Sequence, residues 1–204
     1  IIINKDFLQA YYLITQILVL KKDLDEAIKY LEELKKIRPG EPLLYVKFSE
    51  IYSIRNETKK AIEYAEKAIN LDPENMLGYA VLARANIMEG KVEDGINTYK
   101  KIINLTQDKK HFNNTRASIF TNLGSLYFDL EDLDEALKYT NNALEIDPNN
   151  LSLLNNLANI YYKKEEYDQA LTLRFKILEA IKSKNDEYHE VNSYHKETYT
   201  LNFL

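Results

Sequence analysis

Very few side chains in this sequence have the types and spacing that catalysis or metal binding requires. The three histidines, His111, His189 and His195, all fall in segments without regular helical periodicity. Asp186, His189 and Glu190 could share one face of a helix, which is compatible with a weak metal site, but a solvated polar cluster accounts for them better. The sequence has no cysteine, no phosphate-binding glycine loop and no nucleophile elbow. It therefore predicts a protein that is not an enzyme and that uses no metal or cofactor.

Asparagine is the one residue with binding chemistry that recurs at equivalent positions of the sequence. Asn122 and Asn156 are 34 residues apart and occupy equivalent positions in two consecutive segments. An amide side chain offers both a donor and an acceptor, which is what reading a peptide backbone independently of its sequence requires. Each such bond contributes about 0.5–1.5 kcal/mol net, so a pair would orient a peptide rather than hold it. The alternative is that an asparagine-rich chain places this residue on any solvated helix face.

The composition indicates which elements position these residues. Of the 204 residues, 45% are hydrophobic and 29% are charged, with only 5 Gly and 4 Pro, which is typical of a foldable, helix-rich chain. The net charge is −5 and no stretch forms a basic stripe, so we expect no nucleic-acid partner. The most apolar run, 7–20, is too short to span a bilayer, so we expect no membrane insertion.

The ends of the chain carry no targeting pattern. The first residue is Ile1 rather than Met, and from this we expect a processed or excised piece of a longer protein. No signal peptide is visible, so we expect a cytoplasmic location. A chain without cysteine is also compatible with a periplasmic or extracellular one.

Internal similarity dominates the sequence. Five similar segments begin at residues 27, 61, 95, 136 and 170, so that consecutive starts are 34, 34, 41 and 34 residues apart. Within each unit, apolar residues recur at three- and four-residue steps in two blocks, which predicts two amphipathic helices. A lead-in at 1–7 precedes the first unit and a tail at 185–204 follows the last. The predicted units are 8–41, 42–75, 76–109, 117–150 and 151–184, with a seven-residue insertion at 110–116.

Two positions of each unit are small or short, and they mark where the helices of the pair cross. Two helices approach closely only where their side chains are small, and the eighth and twentieth positions are small in all five units. Those at the eighth position are Thr15, Ser49, Ala83, Gly124 and Ala158. Those at the twentieth are Ala27, Ala61, Gly95, Ala136 and Ala170. In the fifth unit, Arg174 stands where a large apolar residue is expected.

Over residues 8–184 this pattern resembles the tetratricopeptide repeat. The resemblance implies an all-α fold, an α-solenoid of stacked antiparallel helix pairs forming a right-handed superhelix, with about five units. We interpret the tail as the beginning of a partial sixth repeat, with a frayed terminus or capping helix as the alternative.

By the same resemblance, the first helix of each pair lines a concave groove that holds a peptide or a helix of a partner protein. The groove is expected to be apolar in its first half, where Val19, Leu20, Ile54, Ile87 and Met88 extend it, and polar in its second half. The residues predicted to face it are Tyr12, Gln16, Val46, Lys47, Glu50, Val81, Arg84, Thr121, Asn122, Ser125, Asn155, Asn156 and Asn159.

The expected function is a non-enzymatic scaffold for protein–protein interaction, and two alternatives stay open. An apolar groove of this kind needs an occupant, which could be a second copy of the chain, giving a homo-oligomer. The array could also be the regulatory region of a larger enzyme or signalling protein.

Overall fold

The structure, a computed structural model, describes residues 5–183, and all regular secondary structure in that range is helical. The chain divides into two compact units, Ile1–Lys110 and His111–Leu204, which we describe one at a time. The cluster of Asp186, His189 and Glu190, together with His195 and the predicted partial sixth repeat, lies outside the described residues.

The first unit consists of three helical hairpins. The hairpins are formed by α1 with α2, by α3 with α4 and by α5 with α6. Neighbouring hairpins stack through contacts of α2 with α3, of α4 with α5 and of α3 with α5. The helices are α1 (Lys5–Leu20), α2 (Leu24–Ile37), α3 (Pro42–Ile54), α4 (Thr58–Leu71), α5 (Met76–Met88) and α6 (Val92–Thr106).

The second unit repeats this arrangement. Helices α7 (Asn113–Asp129) and α8 (Leu133–Ile146) form a hairpin, and α9 (Leu151–Lys163) contacts both of them. A tenth helix, α10, runs over 167–183, to the end of the described residues. The segment 110–116, which we expected to be irregular, consists of a short 3-10 helix (Lys110–Phe112) and the first turn of α7.

The turn inside every hairpin closes in the same way. The backbone N–H of the residue that follows the turn donates to the carbonyl five residues before it, which is the Schellman pattern. In the first hairpin, the N–H of Asp23 donates to the carbonyl of Leu18 at 2.9 Å. One residue of each turn then takes a left-handed backbone conformation, and only one of the five is glycine. These residues are Lys22, Asn56, Gly90, Glu131 and Glu165, with φ between 59° and 87°.

The small residues at the eighth and twentieth positions are buried in all five pairs. The Ser49 hydroxyl donates to the Ala61 carbonyl at 2.8 Å, so the backbones meet at hydrogen-bonding distance. At Gly95, an added Cβ would lie 2.8 Å from the Ala83 carbonyl oxygen and 2.4 Å from Cγ1 of Ile87. The close crossing therefore favours glycine here, because a Cβ on any other residue would overlap the backbone of α5.

Between the hairpins, large side chains form the core. In the first unit the core includes Leu31 and Leu34 of α2 and Leu44, Phe48 and Ile51 of α3, each at most 1% exposed. Burial of a side chain of this size contributes about 1.5–3 kcal/mol. The hairpins are therefore held to each other by the residues that stand between the small crossing positions.

We predict that Gly95→Ala destabilises the protein. Overpacking against a backbone carbonyl costs about 1–3 kcal/mol, and the better helix propensity of alanine returns at most about 1 kcal/mol, so the net loss is roughly 1–2 kcal/mol. Urea denaturation followed by circular dichroism measures it. Gly40→Ala is the control, because a Cβ there meets nothing within 4 Å. Equal midpoints for both variants would contradict the close crossing.

We predict that Lys22→Gly has the opposite effect. A non-glycine residue in the left-handed region costs about 1–2 kcal/mol, which exceeds the entropy that glycine loses on folding, so stability should rise by about 0.5–1 kcal/mol. The matched control is Gly90→Ala, which has free space but the same left-handed φ and should lose stability. Thermal melts of the two variants compare them directly, and a lowered midpoint for Lys22→Gly would show that the turn is not left-handed.

Candidate peptide-binding grooves

The first helices of the first unit enclose a cavity of about 540 Å³. It is open on one side and lies between α1, α3 and α5, which the small crossing residues hold in one layer. Its lining is Thr15, Gln16, Val19, Lys47, Glu50, Ile51, Ser53, Ile54, Arg84 and Met88. Four of the predicted groove residues, Gln16, Lys47, Glu50 and Arg84, thus meet at one cavity.

We call this cavity groove 1. Some of its polar groups have hydrogen-bond or ion-pair partners within the chain, and others do not. Lys47 and Glu50 form an ion pair at 2.8 Å. The hydroxyls of Thr15 and Ser53 each donate to a carbonyl of their own helix, at 2.8 and 2.9 Å. Within residues 5–183, the guanidinium of Arg84 has no hydrogen-bond or ion-pair partner. Groove 1 can therefore offer this cation to a ligand at no cost in existing bonds.

Apolar side chains from the last turns of the three helices complete groove 1. Val19 lies on α1, Ile54 on α3 and Met88 on α5, and the last two are 57% and 44% exposed. Ile87, which we had expected beside them, packs instead toward Gly95 of α6. Groove 1 thus combines an apolar patch with a free positive charge one helical turn away.

Three of the residues predicted to face the groove are part of the core instead. Val46 and Val81 are 1% and 4% exposed and belong to the main hydrophobic cluster, against which Tyr12 packs. The Tyr12 hydroxyl is buried, and among the described residues it has no hydrogen-bond partner. Tyr12 and Val46 both occupy the fifth position of the repeat. Val81 shows that the sixth position can also be covered.

Burial affects the ionisation of this tyrosine. Loss of solvent, and to a smaller extent the negative charge of Glu41, raises the pKa of the Tyr12 hydroxyl above its ordinary value. The phenol therefore stays neutral throughout the physiological pH range and adds no charge to groove 1.

The second unit has a smaller cavity of about 140 Å³ between α7, α8 and α9. This volume accommodates one side chain or a few water molecules. Its acidic group, Asp129, is exposed and unpaired within the described part of the chain, so the cavity can accept a hydrogen-bond donor or a cation. The lining is Gly124, Ser125, Phe128, Asp129, Thr140, Asn156, Asn159 and Ile160.

The asparagines of the second unit have separate roles. Arg174 of α10 donates to the side-chain oxygen of Asn155 and, at 2.7 Å, to that of Asn159. These two amides therefore support the hairpin of α9 and α10, and the arginine that seemed out of place there has a structural partner. Asn156 lines the small cavity, whereas Asn122 is exposed and outside that lining.

The remaining predicted residues of the second unit are divided as well. Ser125 lines the small cavity. The Thr121 hydroxyl donates to the carbonyl of Ala117 at 2.8 Å, so it is engaged by its own helix. Of the repeated pair of asparagines, Asn156 lines the small cavity and Asn122 does not, and their joint contact with a peptide backbone stays a prediction.

The described residues contain no group of three or more metal-ligating side chains of His, Cys, Asp or Glu. Among the same residues, no helix is both long and apolar enough to cross a membrane.

Family models of the tetratricopeptide repeat match four stretches of the sequence, at residues 8–41, 43–75, 117–150 and 139–172. Together the matches cover more than half of the chain. The chain belongs to the tetratricopeptide repeat family. The all-α architecture of stacked helix pairs predicted from the sequence is thereby confirmed. No curated protein sequence matches this chain.

Solved structures with similar folds are tetratricopeptide solenoids of low sequence identity. BtubC from P. vanneervenii has a TM-score of 0.75 at 18% identity, over 88% of this chain and 82% of its own. MamA from Desulfovibrio magneticus RS-1 has a TM-score of 0.66 at 16% identity, over 86% and 95%. A chain of the APC/C hetero-tetramer Cut9-Hcn1 has a TM-score of 0.65 at 20% identity, over 80% of this chain and 32% of its own. These likenesses show the fold and nothing finer.

Sequence reasoning missed several groups that line the two cavities. Ile51 and Ser53 of α3 line groove 1, and Phe128 and Asp129, at the end of α7, line the small cavity. Asp129 carried a signal in the sequence, because it begins the acidic segment 129–134. In the same segment, Asp132 caps α8 by accepting from the Glu135 N–H at 3.2 Å.

We predict that Tyr12→Phe raises the stability of the protein by up to about 1 kcal/mol. The buried hydroxyl has no partner, so removing it removes a desolvation cost without losing a bond. Tyr45→Phe is the matched control, since the Tyr45 hydroxyl donates to the Pro39 carbonyl at 2.6 Å and its loss should cost about 0.5–1.5 kcal/mol. Urea midpoints of both variants test the contrast. A destabilised Tyr12→Phe would show that the hydroxyl has a partner in solution.

Proposed function

We propose that this protein is a non-catalytic scaffold that binds a segment of a partner protein in groove 1. The observation that carries the proposal is the guanidinium of Arg84, which has no partner among residues 5–183, beside the exposed apolar side chains of Ile54 and Met88. Recognition of short segments commonly uses an apolar anchor with a charged contact at its edge.

The chemistry of groove 1 defines the class of segment. An acidic side chain of the ligand would pair with Arg84, and an apolar side chain would enter the patch formed by Val19, Ile54 and Met88. The ion pair of Lys47 and Glu50 neutralises itself, so Arg84 determines the charge preference. The ligand is accordingly an amphipathic segment with acidic and aliphatic or aromatic residues.

Family membership agrees with this proposal. One of the similar solved structures is a chain of the hetero-tetramer Cut9-Hcn1, so an array of this fold can act in a protein assembly. The unpaired cation and the apolar patch are features of this chain's own residues, and they make the proposal specific.

Peptide display against the purified protein tests the function. Peptides selected by the native chain should be enriched in acidic and large apolar residues. Their affinities are then measured by fluorescence anisotropy with the native chain, Arg84→Glu and Ile54→Asp. Lys36→Glu is the matched control, because Lys36 is exposed on α2, outside the lining of groove 1.

We predict that Arg84→Glu weakens binding by about five- to tenfold, corresponding to about 1–1.4 kcal/mol for an exposed charge pair. Ile54→Asp should weaken it further, because it places a charge in the apolar patch, whereas Lys36→Glu should bind as the native chain does. Circular dichroism establishes that each variant is folded. Selected peptides that bind all four proteins equally would contradict groove 1 as the binding site.

A further inference from the structure

Polar side chains without partners surround the small cavity of the second unit. Ser125 and Asp129 lie one turn apart on α7, and Asn156 lies on α9. Within residues 5–183, none of these side chains has a hydrogen-bond or ion-pair partner. The cavity can therefore offer a carboxylate, a hydroxyl and an amide to one ligand without breaking an existing bond.

A buried hydroxyl completes this set. Thr140 of α8 is 3% exposed, and a Cβ added at Gly124, which also lines the cavity, would lie 2.7 Å from its Oγ1. The other buried serine and threonine hydroxyls of the described chain donate to backbone carbonyls, whereas the Thr140 hydroxyl has no partner in that range. Those that donate belong to Thr15, Ser49, Ser53 and Thr106. Because a buried polar group without a partner costs about 1–3 kcal/mol, the cavity favours a ligand that bonds to Thr140.

The repeat pattern shows that this polar cavity is particular to the fourth helix pair. At the position of Thr140, the first three pairs have Leu31, Ala65 and Tyr99, which are all apolar and buried. Threonine at this position introduces a hydroxyl where the other pairs have only hydrocarbon or an aromatic ring. The cavity is thus a feature of this chain's own residues and not of the repeat in general.

The formal charge of the cavity comes from Asp129, the charged residue of its lining. The neighbouring cations are engaged elsewhere. The ammonium of Lys163 pairs with Glu131 at 3.2 Å, and the guanidinium of Arg174 is hydrogen-bonded to two asparagines of α9. The carboxylate of Asp129 is therefore left for a cation from outside the described residues.

The size and the apolar part of the cavity select the kind of cation. A volume of about 140 Å³ holds one side chain, and Phe128 and Ile160 provide apolar walls for its methylene groups. An ammonium already lies near this ring, since Nζ of Lys163 is 4.9 Å from the centre of the Phe128 ring. The acceptors are spread over three helices, which suits the divergent N–H groups of an ammonium better than the planar fork of a guanidinium.

We propose that the small cavity binds the side chain of a lysine on a partner protein. The methylene chain of that lysine contacts Phe128 and Ile160. Its ammonium pairs with Asp129 and donates to the hydroxyls of Ser125 and Thr140. This site has the opposite charge preference to groove 1 and does not rest on the function proposed above.

The test removes the contribution of groove 1. Peptides are selected by display against the whole chain carrying Arg84→Glu and Ile54→Asp, and the selected sequences should share a lysine. Fluorescence anisotropy then measures their affinities for this parent chain. Replacing the shared lysine with methionine, which is uncharged and of similar length, should weaken binding by about tenfold or more. Arginine in its place should restore only part of the affinity.

Further substitutions in the parent chain locate the site. Asp129→Asn should weaken binding by about fivefold, through loss of an exposed charge pair. Its matched control is Glu145→Gln, which removes the same charge from an exposed position of α8 outside the cavity lining and should bind as the parent does. Thr140→Val keeps nearly the same shape and should weaken binding by about three- to tenfold. Its urea midpoint should not fall, because no hydrogen bond of the folded chain is lost.

Three other outcomes overturn the proposal. Selection of no peptides, or of peptides without a shared lysine, shows that the cavity holds only solvent. Equal affinities of Asp129→Asn and Glu145→Gln show that binding follows net charge and not the cavity. A lowered urea midpoint for Thr140→Val shows that this hydroxyl already has a partner within the chain. Circular dichroism establishes that each variant is folded, and because groove 1 is disabled throughout, the result does not depend on the proposed function.

Discussion

The close crossing of two helices in each pair is the constraint on which the rest of this structure depends. At the crossings the partner backbone approaches within hydrogen-bonding range of the small side chain, as Ser49 shows by donating to the Ala61 carbonyl. The same constraint appears at Gly124, where a Cβ would lie 2.7 Å from the Thr140 hydroxyl. Because the pairs within each unit satisfy this requirement, their large side chains lie between neighbouring hairpins of that unit.

The lining of groove 1, the proposed binding surface, follows from that arrangement. Short polar side chains on the first helices direct their hydroxyls to the backbone, as Thr15 and Ser53 do, and so are unavailable to a ligand. Longer ones reach the surface, and of these Lys47 is bound to Glu50 while Arg84 is not. The hydrogen-bonding and charged groups that groove 1 can offer to a ligand thus depend mainly on which lining residues already have partners within the chain.

This distinction explains how much could be predicted from the sequence. Helix pairs, crossing positions and several groove residues could be identified, because periodicity and size are local properties. The roles of Val46 and Val81 could not, because an apolar residue on a groove and one under the next helix look alike in a single repeat. The hydrogen bonds from Arg174 to Asn155 and Asn159 could not be predicted from the sequence either, because a long side chain can bridge helices in several ways. The turns at Lys22, Glu131 and Glu165 carry no glycine to mark their left-handed backbone.

If the first helices of the first unit bind the partner segment, a bound peptide should perturb groove 1 and not the second helices. Amide chemical-shift mapping of isotope-labelled protein, titrated with a display-selected peptide, measures this. The largest shifts should cluster at Gln16, Lys47, Ile54, Arg84 and Met88, with little change on α2 and α4. Shifts concentrated on the second helices, with groove 1 unaffected, would contradict it.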